Sequence, residues 1–232
     1  MAFRFKQFSI EDDQSSMKVG TDAVLLGAWT NPAQARSILD IGCGSALISI
    51  MLAQKTNALI NGIEIDKESA EQASQNCLKS KWSDRLNIVH SSFQSFCLKP
   101  QKFDLIVSNP PFFNNSLKSP KLSKTNSKHT VLLSFQELLM GTKRLLTDDG
   151  LANFILPYSE LDFFKTTATI EGLYINRTLL IKPKPNKEIN RCILSLQHSP
   201  SKLIEDLLCI RNSDSSYSDD YKALTSEFYL NF

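Results

Sequence analysis

Apolar residues along this chain fall into two alternating kinds of run. Residues 37–41, 59–65, 86–90, 103–108 and 151–156 are short and nearly continuously apolar, the pattern of strands buried on both faces. Between them the apolar positions take helical spacing. Residues 46–54 carry them at 47, 48, 51 and 52, and residues 67–79 place Ala70, Ala73 and Cys77 on one face. Residues 134–146 open with Ser134 and Glu137 in capping-box spacing, and 159–171 form a last helix. Strand and helix in alternation predict a parallel sheet with right-handed crossovers. Residues 174–181 and 188–197 are also strand-like. The linker between them, Lys182-Pro183-Lys184-Pro185-Asn186-Lys187, is too short for a crossover helix and predicts an antiparallel hairpin. The expected fold is therefore α/β and Rossmann-like: a mostly parallel seven-stranded sheet ending in an antiparallel hairpin, with helices on both faces. It reads as one domain over 1–232, with 1–35 as an N-terminal segment, 36–200 as the core and 201–232 as a C-terminal extension.

Two turns between these elements carry candidate chemistry. Asp40-Ile41-Gly42-Cys43-Gly44-Ser45-Ala46 joins the first strand to the first helix, and Gly42 and Gly44 let the backbone turn sharply beside a ligand. A dinucleotide fingerprint needs a third glycine where Leu47 stands. By itself this G-x-G is equally a tight βα turn. The second strand ends in Gly62-Ile63-Glu64-Ile65-Asp66, and Glu64 lies at about the 20-residue spacing from which a carboxylate accepts ribose hydroxyls. Together the two point to an adenosine-bearing cofactor without a pyrophosphate. The strand at 103–108 stops at Asn109-Pro110-Pro111-Phe112. Neither proline has an N–H to continue a ladder, so the chain must turn out at the carboxyl end of the strand, where open α/β sheets bind ligands. An amide, a stiff carbonyl and an aromatic face at one point suit a flat ring with an exocyclic amine.

With those three features in place, the chain resembles the class I S-adenosylmethionine-dependent methyltransferases that methylate amino groups, which carry an N-P-P-[YF] motif after a strand. It is similar more narrowly to the bacterial tRNA1(Val) adenine-37 N6-methyltransferases. Met17-Lys18-Val19-Gly20-Thr21-Asp22-Ala23-Val24-Leu25-Leu26-Gly27-Ala28-Trp29, Met51-Leu52-Ala53-Gln54, the region from Asn76 to Trp82, and the closing stretches at 217–218 and 228–230 carry that likeness. The resemblance implies methyl transfer from S-adenosylmethionine to N6 of the adenosine 3′ of the anticodon in a valine tRNA. The implied catalytic residues are Asn109, Pro110, Pro111 and Phe112. The implied cofactor residues are Lys18, Thr21, Asp40, Gly42, Gly44, Glu64, Ile65, Ser92, Phe93 and again Asn109. Where the family usually has a third glycine or small residue, this chain has Ala46, small enough to keep the helix close to the strand, and where the family has an acid after the third strand and a tyrosine in the motif it has Ser92-Phe93 and Phe112.

Composition adjusts this picture only at the edges. In 232 residues, 42% hydrophobic and 22% charged with net charge +2, there is no run of about 18 apolar residues that would span a membrane. Five scattered cysteines without a C-x-x-C pair, and three separated histidines, argue against a structural metal or a disulfide framework. A cytoplasmic, metal-free protein is expected, its oligomeric state open with a monomer favoured. Charge is unevenly placed. Lys118, Lys121, Lys124 and Lys128, with His129, fall in a Ser- and Asn-rich segment at 114–130 that is expected to be a mobile loop. They are candidate contacts to RNA phosphates. A second basic stretch runs from Arg177 to Arg191, opposed only by Glu188. Competing readings are an adenine methyltransferase acting on rRNA or DNA, a protein glutamine methyltransferase, and an inactive nucleotide-binding module. The glutamine enzymes usually add an N-terminal helical domain, for which the stretch before Ser37 leaves little room.

Overall fold

The computed structural model describes residues 2–110 and 133–231. Pro111, Phe112, Lys118, Lys121, Lys124, Lys128 and His129 lie outside the described residues, as does the whole 114–130 segment. A two-residue hairpin, β1 (Phe3–Arg4) and β2 (Ser9–Ile10), precedes α1 (Thr21–Trp29). Then come β3 (Ser37–Ile41), α2 (Leu47–Lys55), β4 (Leu59–Glu64), α3 (Lys67–Lys79), β5 (Leu86–His90), α4 (Phe93–Phe96) and β6 (Phe103–Ser108). The second half holds α5 (Phe135–Leu145), β7 (Leu146–Pro157), α6 (Leu161–Ile170), β8 (Tyr174–Lys182), β9 (Arg191–Gln197), β10 (Ile204–Cys209) and α7 (Asp219–Thr225).

The main sheet has eight strands in the order β10-β8-β9-β7-β6-β3-β4-β5, with β9 antiparallel to both neighbours and the other pairs parallel. The α/β class, the parallel core and the β8–β9 hairpin match expectation. The strand count does not: seven were expected and β10 makes an eighth, paired in parallel to β8 from Ile204↔Arg177 to Cys209↔Lys182. Its sequence hid it. Glu205 and Asp206 interrupt the apolar run Ile204, Leu207, Leu208, and an edge strand needs only one partner and one covered face. The stretch after residue 200 thus completes the sheet. β7 also begins earlier than expected, at Leu146, because the Asp148-Asp149-Gly150 turn is accommodated as an irregularity in the pairing with β6.

Side-chain alternation divides the core. Leu39, Ile41, Ile63 and Ile106 face one cluster, with Phe93, Phe96, Leu138, Leu139 and Phe164 from α4, α5 and α6. Ile38, Ile60, Leu105 and Val107 face the other, with Leu25, Leu26, Ile48, Leu52 and Tyr221 from α1, α2 and α7. Both faces of the central strands β3, β4, β6 and β7 are covered, which is why they read as largely apolar runs, whereas the edge strand β5 has no fully buried residue. Among the described residues no helix is long and apolar enough to cross a membrane, and no cluster of His, Cys, Asp or Glu could hold a metal ion.

Helix α5 starts with the expected capping box: Ser134 Oγ accepts from the Glu137 N–H at 3.2 Å, and Glu137 Oε2 accepts from the Ser134 N–H at 2.9 Å. Those bonds satisfy two of the amides a helix start leaves unpaired. Ser134→Ala is expected to lower stability by about 1 kcal/mol in urea denaturation, and an unchanged midpoint would show that the cap contributes nothing.

Candidate active site

Strand order reverses between β3 and β6, since the chain runs outward from β3 through β4 to β5 and then returns to the other side of β3. In open α/β sheets ligands bind at this switch point, outside the carboxyl ends of the strands. Ile41 pairs with Ser108 there, and the Ser108 hydroxyl donates to the Ile41 carbonyl at 2.8 Å. The glycine turn and Asn109-Pro110 therefore leave the sheet side by side. A cavity of about 300 Å³ opens between them; Lys18, Thr21, Asp22, Gly42, Gly44 and Asn109 line it. Residues far apart in the chain, Lys18 and Thr21, the two glycines and Asn109, are thus brought to one place.

The glycine turn is held from below. Gly42 has φ +68° and Gly44 φ +53°, conformations that favour glycine, and a Cβ placed on Gly42 would meet nothing within 4 Å. That face of the turn is open for a ligand. The Gly42 and Cys43 amides donate to the Ile63 carbonyl at 2.9 and 3.0 Å. Glu64, buried at the end of β4, accepts from the Gly44 N–H at 3.0 Å through one oxygen and from the Asp66 N–H at 2.9 Å through the other. A carboxylate has about four lone-pair sites, so Glu64 keeps acceptor capacity while it fixes the turn. The third small position, Ala46, also sits in the left-handed region, at φ +64°, and is fully buried. Its methyl packs in the cluster with Val24, Leu47 and Met51, and that burial, about 0.8 kcal/mol per carbon, offsets much of the roughly 1–2 kcal/mol of backbone strain.

Two expected cofactor residues, Asp40 and Phe93, turn their side chains into the core, and a third, Ser92, is engaged as a helix cap. Asp40 shares the period-two face of Ile38 and so points at α2, away from the sheet edge. It is fully buried, and its Oδ2 accepts from the Ser49 N–H at 3.1 Å and the Ser49 hydroxyl at 2.7 Å. Its role in the structure is to clamp α2 to β3. Phe93 turns its ring into the core beside Gly141 and Cys97, because α4 is a short helix with its apolar side inward. Ser92 is the N-cap of α4, accepting from the Ser95 N–H at 3.2 Å and donating to Ser95 Oγ at 2.9 Å. Ile65, by contrast, is 44% exposed just past the end of β4, its carbonyl 3.1 Å from His90 Nε2, and offers an apolar platform there. Lys18 donates to the carbonyls of Asp12 and Asp13, so it braces the entry strap of the cavity.

Sequence reasoning missed the polar side of α3. Ser69, Gln72 and Asn76 are all buried, at the i, i+3, i+7 spacing of one helix face. The Ser69 hydroxyl accepts from the Ser16 N–H, Gln72 Oε1 from the Gln14 N–H and Asn76 Oδ1 from the Glu11 N–H, at 3.1, 3.0 and 3.0 Å. Asn76 Nδ2 donates to the Glu11 and Ser45 carbonyls at 2.8 and 2.9 Å. The strap at 11–16 is thereby laid against the glycine turn, and its continuation becomes the cavity wall. The signal was available as polar residues at helical spacing beside Ala70, Ala73 and Cys77, but such residues ordinarily mark a solvated face. Asp22, in the first turn of α1, pairs with Arg191 at the start of β9, at 2.9 Å. That ties the cavity wall to the hairpin.

Three buried side-chain oxygens in this region, Ser15 Oγ, Asp40 Oδ1 and Asn109 Oδ1, lack partners among the described residues. Asp40 Oδ1 is buried and accepts no hydrogen bond among the described residues, and its carboxyl pKa is pushed up to about 7 by burial, with Glu64 adding repulsion and the Ser49 bonds opposing. Asn109 Oδ1 is likewise buried with no donor among the described residues. Buried acceptors are rarely left so unless something else supplies the donor. An orphaned amide oxygen beside an open glycine turn fits a site for a cofactor and for an amine to be placed against it.

Comparison with known proteins agrees with this geometry. The family model described as "Methyltransferase small domain" matches residues 14–155. A tRNA1(Val) (adenine(37)-N6)-methyltransferase from Phocaeicola vulgatus is 43% identical over 231 residues, covering 99% of this chain and 97% of that protein. One from Pseudoalteromonas translucida is 39% identical, covering 98% of each. Among solved structures, a predicted O-methyltransferase from Agrobacterium tumefaciens superposes with TM-score 0.69 at 17% identity, over 89% of this chain and 96% of that one. A ribosomal protein L11 methylase from Lactobacillus delbrueckii gives 0.57 at 16% identity, over 85% and 100%. At such identities the solved structures speak for the fold.

Two measurements test the framework. Asn76→Ala strips partners from Glu11 and Ser45; it should cost about 1–3 kcal/mol and weaken S-adenosylmethionine binding in calorimetry, and wild-type values for both would remove Asn76 from the site. For Asp40 the folded pKa of about 7 lies above the unfolded 3.8. The folded state then holds a proton that the unfolded chain loses, so stability falls as pH rises from about 4 to about 7. Asp40→Asn lacks this fall. Its melting temperature should gain on that of the wild type between pH 5 and pH 8, by the equivalent of a few kcal/mol; a gap independent of pH would refute the raised pKa.

Proposed function

The chain belongs to the tRNA1(Val) (adenine(37)-N6)-methyltransferase family, and on that premise we propose that it moves the methyl group of S-adenosylmethionine to N6 of adenosine 37 in the anticodon loop of a valine tRNA, with Asn109 orienting the amine. The observation that carries the residue assignment is the buried, partnerless Asn109 Oδ1 at the switch point, on the wall of the same cavity as the glycine turn.

The cofactor, when bound, supplies an electrophilic methyl and a neutral leaving group, which leaves orientation to the protein. The residues present fit it. Gly42 and Gly44 offer backbone with no side chain in the way. Glu64 has lone pairs left for ribose hydroxyls, and Ile65 gives an apolar surface for a ring. The first turn of α1 lines the cavity, and its N-cap, Gly20, has no side chain to satisfy the helix amides. Those amides suit the cofactor's carboxylate, with Lys18 and Thr21 beside them.

On the substrate side, an adenine amine is a weak nucleophile because its lone pair is delocalised into the ring. Asn109 Oδ1 and the Pro110 carbonyl accept hydrogen bonds from its two N–H groups, which draws the nitrogen toward tetrahedral and frees the lone pair along one direction; once the N–C bond has formed and the C–S bond has broken, the cationic nitrogen gives its extra proton to solvent. Such placement contributes several of the roughly 7–11 kcal/mol available from proximity and orientation. Pro110 and Pro111 keep the corner stiff. An aromatic ring stacked on the base, the role the sequence suggests for Phe112, is worth about 1–3 kcal/mol, and a base in a single-stranded loop leaves its stack at less cost than one in a duplex.

Asn109→Ala should keep the cofactor affinity within about twofold and lower single-turnover methylation of tRNA by about 100-fold or more, some 2.7 kcal/mol of transition-state placement. Nucleoside analysis after incubation with labelled cofactor and separate tRNA, rRNA and DNA pools identifies the product. A fully active Asn109→Ala enzyme would sink the orientation role. N6-methyladenosine found in DNA or rRNA and not in tRNA would sink the substrate.

A further inference from the structure

The β8–β9 turn is basic, rigid and on the edge of the sheet that holds the site. β8 runs parallel to β6 and β7, because antiparallel β9 lies between β7 and β8. Its carboxyl end is therefore at the same edge as Asn109. Phe154 of β7 is level with Ser108, and the Pro157↔Arg191 and Arg191↔Ile181 pairs lie three residues beyond that level. The turn thus begins about 10 Å past the end of β6 and about 14 Å to its side, three strand spacings away.

Its backbone is fixed from several sides. The Lys187 N–H donates to the Lys184 carbonyl at 3.0 Å, closing a β-turn with Pro185 at its second position. The Asn190 N–H donates to Ile181, and the Ile210 and Arg211 amides donate to the carbonyls of Lys182 and Pro183. Lys184 Nζ is steadied by Ser215 Oγ at 2.7 Å. At the base, Arg191 is engaged by Asp22, which lines the cofactor cavity. Lys187 is exposed, and Lys182 and Lys184 are half-buried.

Charge is sorted along this edge of the sheet. The acids of β10, Glu205 and Asp206, pair in register with Thr178 and Leu179, toward the amino end, where Asp206 takes up Arg177 at 2.9 Å. The carboxyl end carries Lys182, Lys184, Lys187 and, alongside, Arg211. Acids stand on the neighbouring segments too: Glu188 in the turn, Asp214, which is bound to Ser216 through its N–H and hydroxyl, and Asp219 and Asp220, which follow Ser218 where it bonds to Cys209 and Ile210, Asp219 being paired with Lys222. A preorganised set of cations beside a base-binding corner matches the phosphates that flank a base entering that corner, since phosphate contacts set register and orientation. Resting on the RNA reading above, we propose that the Lys182–Lys184–Lys187 turn is a phosphate-binding surface that docks the tRNA and does not take part in the chemistry.

The test uses the full-length protein and an unmodified valine tRNA transcript. Reversing all three lysines (K182E, K184E, K187E) should raise KM for tRNA at least tenfold, while kcat at saturating tRNA and the affinity for S-adenosylmethionine stay within about twofold. The slope of log affinity against log salt should fall by about 2–3, near 0.7–0.9 for each phosphate no longer neutralised. Lys187→Glu alone, on an exposed side chain, guards against misfolding of the triple variant and should lower the slope by about 1. Lys202→Glu, an exposed charge near the amino end of β10, should change nothing. An unchanged KM and slope in the Lys187→Glu and triple variants, with wild-type methylation of tRNA intact, would overturn the docking surface alone. Absence of tRNA methylation by the wild type would instead overturn the function on which it rests.

Discussion

The pairing of β3 with β6 is the constraint on which the rest of this molecule depends. It sets Ile41 level with Ser108, and Ser108 locks that level by donating its hydroxyl to the Ile41 carbonyl. A slip of one residue would reverse which side chains meet which face. It would carry Asn109 away from the glycine turn and bring Ser108, a residue without an amide, to the corner. The register is secured by burial on both sides. Leu105 and Val107 face α1 and α2 while Ile106 faces α5, so shifted pairings would misplace several fully buried side chains at about 1.5–3 kcal/mol each.

From that fixed point the site is assembled by polar contacts that each serve two elements. Glu64 joins the glycine turn to the start of α3 through Gly44 and Asp66. Asn76 joins the entry strap to the same turn through Glu11 and Ser45. Asp22 joins the cavity wall to β9 through Arg191. Because each of these side chains bridges two segments, the cavity has walls that come from four parts of the chain yet keep a common geometry. Asp40 is the exception in cost. Burial of its carboxyl against Ser49 ties β3 to α2 but leaves one oxygen unpaired, and its raised pKa is the measure of that penalty.

Much of this was legible in the sequence because it is local. Short apolar runs gave the five parallel strands, the Lys182–Lys187 linker gave the hairpin, and Ser134 with Glu137 gave the cap of α5. The glycine turn and the proline corner were readable because backbone needs dictate their residues. What was not legible depends on packing partners far away in sequence. Strand β10 is recognised as a strand only beside β8. Phe93 looked like a cofactor contact until α4 turned it toward Gly141, and Asp40 until β3 was seen to direct it at Ser49. The polar face of α3 had the spacing of a solvated surface and proved to be the anchor of the strap.

The division between reading a base and choosing a molecule follows from the same geometry. On the reading proposed above, the corner at Asn109 combines main-chain stiffness with a single amide and recognises a flat amine whatever carries it. Discrimination must therefore come from groups that reach beyond that base. Sheet topology determines where such groups stand, since loops at the carboxyl edge are the ones that share the substrate's side. The β8–β9 turn is on that edge, its base fastened by Asp22 to the wall of the cofactor cavity. In the proposed docking a charge placed there acts on RNA, while salt screens it from the cofactor site over more than a Debye length of about 8–10 Å. On that proposal binding strength and chemistry are carried by different residues on one sheet, which lets either change without disturbing the other.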